Sequence, residues 1–149
     1  MQRVRLFADD QKLAQRSGRK FTVGCLTAAA INDHGDVAGF YTNPATGNTE
    51  GFLLRDGQFM DLAVAGASST MALGVNNYDE VVGVYTPSGT TVLHGFTWTP
   101  RHGFTTVDDP KGIATTTING VNDFGQLVGF YSTDGGNITN GFLATPHGH

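Results

Sequence analysis

Apolar and polar positions along this chain alternate in short runs, and the same run is written three times. Val37-Ala38-Gly39-Phe40-Tyr41, Val81-Val82-Gly83-Val84-Tyr85 and Leu127-Val128-Gly129-Phe130-Tyr131 each follow an Asn and a turn. Asn32, Asn76 and Asn122 are 44 and 46 residues apart, as are Gly39, Gly83 and Gly129 and the Gly-Phe pairs at 51, 95 and 141. A period of this size marks a supersecondary unit that buries its faces against its neighbours. It speaks of architecture before it speaks of chemistry.

Each unit predicts four strands. Strand a ends at the Asn (27–32, 70–76, 115–122), and strand b is the alternating run (36–42, 80–86, 126–132). Strand c carries Gly-Phe (50–55, 93–99, 140–145), and strand d is centred on Phe (58–62, 103–107). Asn-Asp-His-Gly and Asn-Asp-Phe-Gly join a to b as tight turns, with Gly supplying positive φ and Asn capping its own turn. Asp79 stands where the second unit needs that Gly, which places an Asp in the left-handed region under strain. The remaining glycines also read as turn residues. Strand b is apolar on both faces, so it should be covered on both sides.

Gly18-Arg19-Lys20-Phe21-Thr22-Val23 repeats the strand d pattern, and the third unit stops at His149 before any such strand. The chain thus starts with the strand that its end lacks, and residues 18–23 are expected to complete the last unit. Residues 1–17 read as a tail that permits a short helix around Leu13 and Ala14. The units are expected at about 24–62, 63–107 and 108–149.

Four strands per unit, both faces covered and a permuted last strand together predict an all-β chain of three propeller-type blades. The competing architecture is the β-trefoil, which closes with three repeats in one chain. Propeller rings hold about four to eight blades, so three cannot close one. A homodimer making a six-bladed ring is the expected solution, with residues 20–23 of each chain serving the last blade of the other.

Composition agrees with an all-β chain: there are 21 glycines, and helix formers are sparse after residue 20. The formal charge of -4 hides an asymmetry, since six of the nine Lys and Arg residues lie in the first twenty. The rest of the chain carries three basic and eleven acidic residues, a net of -8, which repels phosphate backbones and argues against nucleic acid as a partner. No run reaches the roughly 18 apolar residues of a membrane span. Cys25 is the single cysteine, so no cysteine-based metal cluster or cofactor is expected. The first twenty residues lack the apolar segment of a signal peptide, which on its own would leave the chain in the cytoplasm.

The recurring Ile-Asn-x-x-Gly-x-(Val/Leu)-x-Gly-Phe-Tyr, followed by His-Gly-Phe or Asn-Gly-Phe-Leu and then Gly-x-Phe-x-x-(Leu/Val)-Asp, resembles the HAF-type bacterial extracellular repeat over residues 18–149. The resemblance implies a secreted or cell-surface β-repeat protein, and brings no catalytic residues with it. The chain is short for that family and departs from it in having no visible export signal.

Candidate chemistry is thin. Asp108 and Asp109 form a carboxylate pair in a d–a connection, and Asn43 and Asn137 sit on b–c loops; these four are the candidate ligand-binding residues. Used as acid and base, the Asp pair would suit a glycan-cleaving enzyme. The same residues are what a turn before Pro110 contains in any case. Asp33, His34 and Asp36 are a fragment of a metal loop without the oxygen count of a calcium site. Asn32, Asn76 and Asn122 are expected to cap turns or tie strand a to backbone, and Tyr41, Tyr85 and Tyr131 to pack. His94 and His102 are not repeated, and no nucleophile, base and orienting group can be assembled. The expectation is a noncatalytic module that binds a glycan or a protein partner.

Overall fold

The computed structural model describes residues 26–146 except 114, 135 and 136. The N-terminal tail, the expected strand at 18–23, Cys25 and His147 to His149 lie outside the described residues. Within them the chain is all-β, with eleven strands in two sheets, no helix and no closed barrel. A β-trefoil requires such a barrel, so that alternative is set aside.

The first unit is an antiparallel meander of β1 (Leu26–Ile31), β2 (Val37–Thr42), β3 (Thr49–Arg55) and β4 (Gln58–Leu62). The second repeats it with β5 (Ala67–Val75), β6 (Val81–Pro87), β7 (His94–Thr99) and β8 (Gly103–Thr106). The third has β9 (Thr116–Val121), β10 (Leu127–Ser132) and β11 (Thr139–Ala144). Successive units touch edgewise through one parallel bridge at equivalent positions, Thr49 with Ser69 and Leu93 with Thr115.

The core lies between units. Ala38, Leu53 and Leu62 of the first unit pack on Ala72, Val75, Val81 and Phe96 of the second. Val82 of the second unit packs on Ile118 and Leu127 of the third, with Val107 and Phe142 at the margin. A third cluster, Tyr41, Phe52 and Phe59, lies within the first unit. Full burial of one such Leu or Val side chain contributes about 1.5–3 kcal/mol, so inter-unit packing carries much of the stability. The expectation that strand b is covered on both faces holds in the first two units, where Tyr41 and Val81 on one face and Ala38 and Val82 on the other are buried, and fails on one face of the third, where Leu127 is buried and Val128 is 48% exposed.

The glycines of strand b lie where the sequence places them, in a strand and not in a turn, and close approach explains them. Gly39, Gly83 and Gly129 lie mid-strand, and none has positive φ. In each unit strand a carries a β-bulge at the same place, with Ala29, Leu73 or Asn119 as the extra residue. The bulge drives the main-chain oxygen of Thr27, Met71 or Thr117 into the space a Cβ would need. From the other side, the ring of the cross-strand partner Phe52, Phe96 or Phe142 would come within 2.8, 3.0 or 2.9 Å of that Cβ. Glycine is required by close approach here, and the aromatic ring fills the gap it leaves.

Candidate functional site

The most regular polar construction in the molecule is the set of three a–b turns. The side-chain Oδ1 of each Asn accepts hydrogen bonds from the main-chain N–H groups two and four residues on. These are His34 and Asp36 (3.0 and 2.9 Å), Tyr78 and Glu80 (3.0 Å each), and Phe124 and Gln126 (3.0 Å each). The residue in the left-handed region is Gly35, Asp79 or Gly125, with φ of 82°, 62° and 74°. Asn is suited to this because its short carbonyl reaches its own backbone and leaves an amide free to donate.

That amide works outside the turn. Within each unit Nδ2 donates to the side chain four residues on, Asp36 (2.9 Å), Glu80 (3.2 Å) or Gln126 (2.7 Å). It also reaches the next unit: Asn32 donates to the main-chain oxygen of Asn76 at 3.0 Å, and Asn76 to that of Asn122 at 3.0 Å. The neighbouring residues add a parallel rung. The N–H of Asp33 donates to Asn77 Oδ1 (2.8 Å), the N–H of Asn77 to Asp123 Oδ1 (2.8 Å), and Asn77 Nδ2 bridges Asp33 and Asp123 (2.9 and 2.7 Å). All three Asn side chains therefore cap their turns, and those of Asn32 and Asn76 also link their unit to the next.

The three turns stand side by side around an open depression of about 240 Å³. Its lining takes three residues from each unit at one register: Ile31, Asn32 and Asp33, then Val75, Asn76 and Asn77, then Val121, Asn122 and Asp123. The next residue of each turn is His34, Tyr78 or Phe124, and all three are exposed, Tyr78 at 73% and Phe124 at 83%. The volume is below that of pockets that engulf a small molecule, so a ligand would be held at the surface. Behind the rim Asp79 meets Arg55 Nη1 at 2.9 Å. Burial lifts the Asp79 carboxyl above its usual range; Arg55 opposes that shift and the hydrogen-bonded Asp36 carboxyl adds to it.

Sequence reasoning nominated other residues, and none of them lines this depression. It lies at the a–b end of strand a, whereas Asp108 and Asp109 lie in a d–a connection, at the other end. Asp108 Oδ2 is 2.7 Å from His94 Nδ1, and its Oδ1 accepts from the Gly95 N–H at 3.1 Å. Asp109 Oδ1 accepts from the Lys111 N–H at 2.9 Å, and its own N–H donates to Thr116 Oγ1. Each carboxylate thus has a separate structural task. Asn43 Oδ1 caps the β2–β3 connection at the Ala45 N–H (2.9 Å), and its Nδ2 reaches Glu50 (3.2 Å). The Asn137 N–H donates to Asp134 at 3.0 Å. What could have found the rim is the repeat offset itself, applied to the two residues after each Asn.

The tyrosines differ by unit. Tyr41 is buried, with its hydroxyl 2.8 Å from Glu50 and 2.7 Å from Asp61, and burial followed by these hydrogen bonds pushes the phenol far above its usual range. Tyr85 stacks on His94 and meets Thr106 Oγ1 at 2.8 Å. Tyr131 lies tilted against Phe142. Among the described residues no group of three His, Cys, Asp or Glu side chains is placed to hold a metal ion, and no helix is long and apolar enough to cross a membrane. Compared with protein-family models, with curated proteins and with solved structures, the chain finds no match in any of the three.

Proposed function

We propose that this chain is a noncatalytic β-repeat module of the HAF type, built of propeller-like blades, whose a–b turn rim binds a glycan. Two copies complete a six-bladed ring, and the setting implied by the HAF resemblance is extracellular or cell-surface. The observation that carries the binding reading is the register of the rim. Amide and carboxylate side chains at one level, Asn32, Asp33, Asn76, Asn77, Asn122 and Asp123, adjoin exposed aromatic side chains at the next, His34, Tyr78 and Phe124. Sugars present both a hydroxyl edge for such polar groups and an apolar face for rings. Exposed large aromatic residues at successive turn tips contribute little to packing, which favours recognition as their role.

The test is binding of a panel of soluble oligosaccharides to the purified chain, read by calorimetry. A saturable glycan is expected, with affinity falling at least about tenfold, or ~1.4 kcal/mol, in Tyr78→Ala or Phe124→Ala while the circular dichroism spectrum is kept. No binding across the panel would turn the search to a protein partner. Binding indifferent to both substitutions would move the site off this rim.

A further inference from the structure

The two ends of the row of units differ, and each lacks what the other offers. At the third-unit end Val128 and Leu143 are 48% and 64% exposed, whereas their counterparts Ala38 and Leu53 are fully buried beneath the second unit. At the first-unit end Ile31 is 68% exposed, whereas its counterpart Val75 is 7% exposed beneath the first unit. Ala28 is exposed as well, and its counterpart Ala72 is fully buried.

The polar ladder breaks in the same complementary way. Asn32 and Asn76 each send an amide to the next Asn carbonyl, and Asn122 has no next carbonyl among the described residues. The Asn32 oxygen accepts from the Gly35 N–H, and among the described residues no inter-unit amide reaches it as one reaches the Asn76 and Asn122 oxygens. The glycine of strand c follows suit. A Cβ on Gly51 would stand 3.4 Å from Ala72, and one on Gly95 would stand 2.9 Å from Ile118, but among the described residues one on Gly141 meets only its own sheet at 3.8 Å.

We infer that a second copy of this chain docks head to tail at both ends. Asn122 Nδ2 donates to the main-chain oxygen of Asn32 of the partner subunit, and Val128 and Leu143 pack on Ala28 and Ile31 of the partner subunit. This rests on the two-copy ring proposed above and specifies its joint. The occupant is a second copy because the internal joints already show what each end face accepts: the next unit of this same pattern. Of the whole multiples of three, only six falls within the four to eight units that close a ring. Two identical joints related by a two-fold along the ring axis satisfy the symmetry of a closed homodimer. Closure would also join the rim of one chain to that of the other, extending the same row of Asn and Asp side chains around the mouth.

The experiment is light scattering of the full chain across a dilution series, for the wild type, for Val128→Asp with Leu143→Asp, for Ile31→Asp, and for Arg101→Glu. Arg101 is exposed in the β7–β8 turn of the central unit, so its variant is the control for added negative charge. The expected masses are about twice the 15.8 kDa chain mass for wild type and control, and one chain for the end-face variants. A monomeric wild type would overturn the two-copy ring together with its joint. A dimer that persists in both end-face variants would overturn the joint and leave two copies meeting elsewhere. Mass that grows beyond two copies with concentration would overturn closure in favour of an open row. Because the double variant could fail to fold, Ile31→Asp tests the same joint from the opposite side, with circular dichroism confirming the fold.

Discussion

The side-chain amide of Asn32 donates to the main-chain oxygen of Asn76, 44 residues on, and Asn76 repeats the bond to Asn122 after 46 more. One residue type at one position thereby closes a turn and fixes the spacing of two units. Asn76, only 4% exposed, makes four such bonds, to the Tyr78 and Glu80 N–H groups, to Glu80 Oε2 and to the Asn122 oxygen. Asn76→Ala should therefore lose about 2–4 kcal/mol in urea unfolding, because buried donors are left without acceptors. Asn76→Asp separates the two roles. It keeps the turn-closing oxygen, removes the donor to the third unit, and sets a carboxylate against Glu80. A loss of about 1–3 kcal/mol is expected. An Asn76→Asp variant as stable as wild type would show that the inter-unit bond contributes nothing beyond the turn.

Gly83 separates close approach from turn geometry. A Cβ there would collide with the Met71 main-chain oxygen and the Phe96 ring, neither of which can withdraw without opening the β5–β6 bulge or the core. Gly83→Ala should cost more than about 4 kcal/mol or prevent folding, as overpacking against backbone does at its worst. Gly89 has positive φ of 80° and nothing within 4 Å of a Cβ, so Gly89→Ala should cost only the left-handed strain of about 1–2 kcal/mol. Equal losses at the two positions would mean that conformation, rather than contact, dictates glycine in strand b.

Tyr41 carries a pH dependence. An unfolded phenol ionises near 10, and in the folded chain Tyr41 is held far above that value by burial and by the Asp61 and Glu50 carboxylates. Between the two values the folded state binds more protons than the unfolded state. The contribution is therefore fully present below about pH 10 and is lost as pH rises toward the folded value. Tyr41→Phe removes that loss, together with a buried hydrogen bond worth about 1–2 kcal/mol. The stability gap between wild type and Tyr41→Phe should narrow steadily above about pH 10 in urea titrations. A constant gap would mean that the hydroxyl is not differentially ionised.

What could be read from the sequence followed from local chemistry. Period-two alternation placed the strands within a few residues, because covered faces leave their mark on every second side chain. The turn-capping role of Asn32, Asn76 and Asn122 was visible because every unit needs a capped turn at that place, whereas their bonds to the next unit leave no mark in the local sequence. The need for glycine in strand b was not legible because the bulge that demands it falls in strand a, where Ala28-Ala29-Ala30 gives no sign of an extra residue. The rim escaped for a related reason. It exists only when turns 44 and 46 residues apart are laid side by side, while Asp108-Asp109 drew notice as neighbours in the chain. The partner of Asp108 proved to be His94, which no repeat pattern pairs with it.

Asp79 is the unit-two departure from a glycine position, and reverting it weighs three effects. The φ of 62° costs an L-residue about 1–2 kcal/mol, which glycine relieves in part, since its own greater freedom when unfolded returns about 0.5–1 kcal/mol. The Arg55 ion pair that is lost, with Arg55 at 43% exposure, is worth no more than about 1 kcal/mol. The third effect decides the sign. The Asp79 carboxyl is raised above its ordinary 3.8 by burial, against the pull of Arg55 and with the help of Asp36. The folded state then holds more protons than the unfolded state above 3.8, so the unfavourable contribution grows as pH rises from 3.8. Asp79→Gly should accordingly be more stable than wild type by up to about 1 kcal/mol at neutral pH, and the advantage should shrink on acidification toward the ordinary carboxylate range. Thermal unfolding of the two proteins across that range reads both. A variant less stable than wild type at neutral pH would mean that the Arg55 pair outweighs strain and carboxylate crowding together, and that the second unit holds its Asp for the stability of the joint with the first.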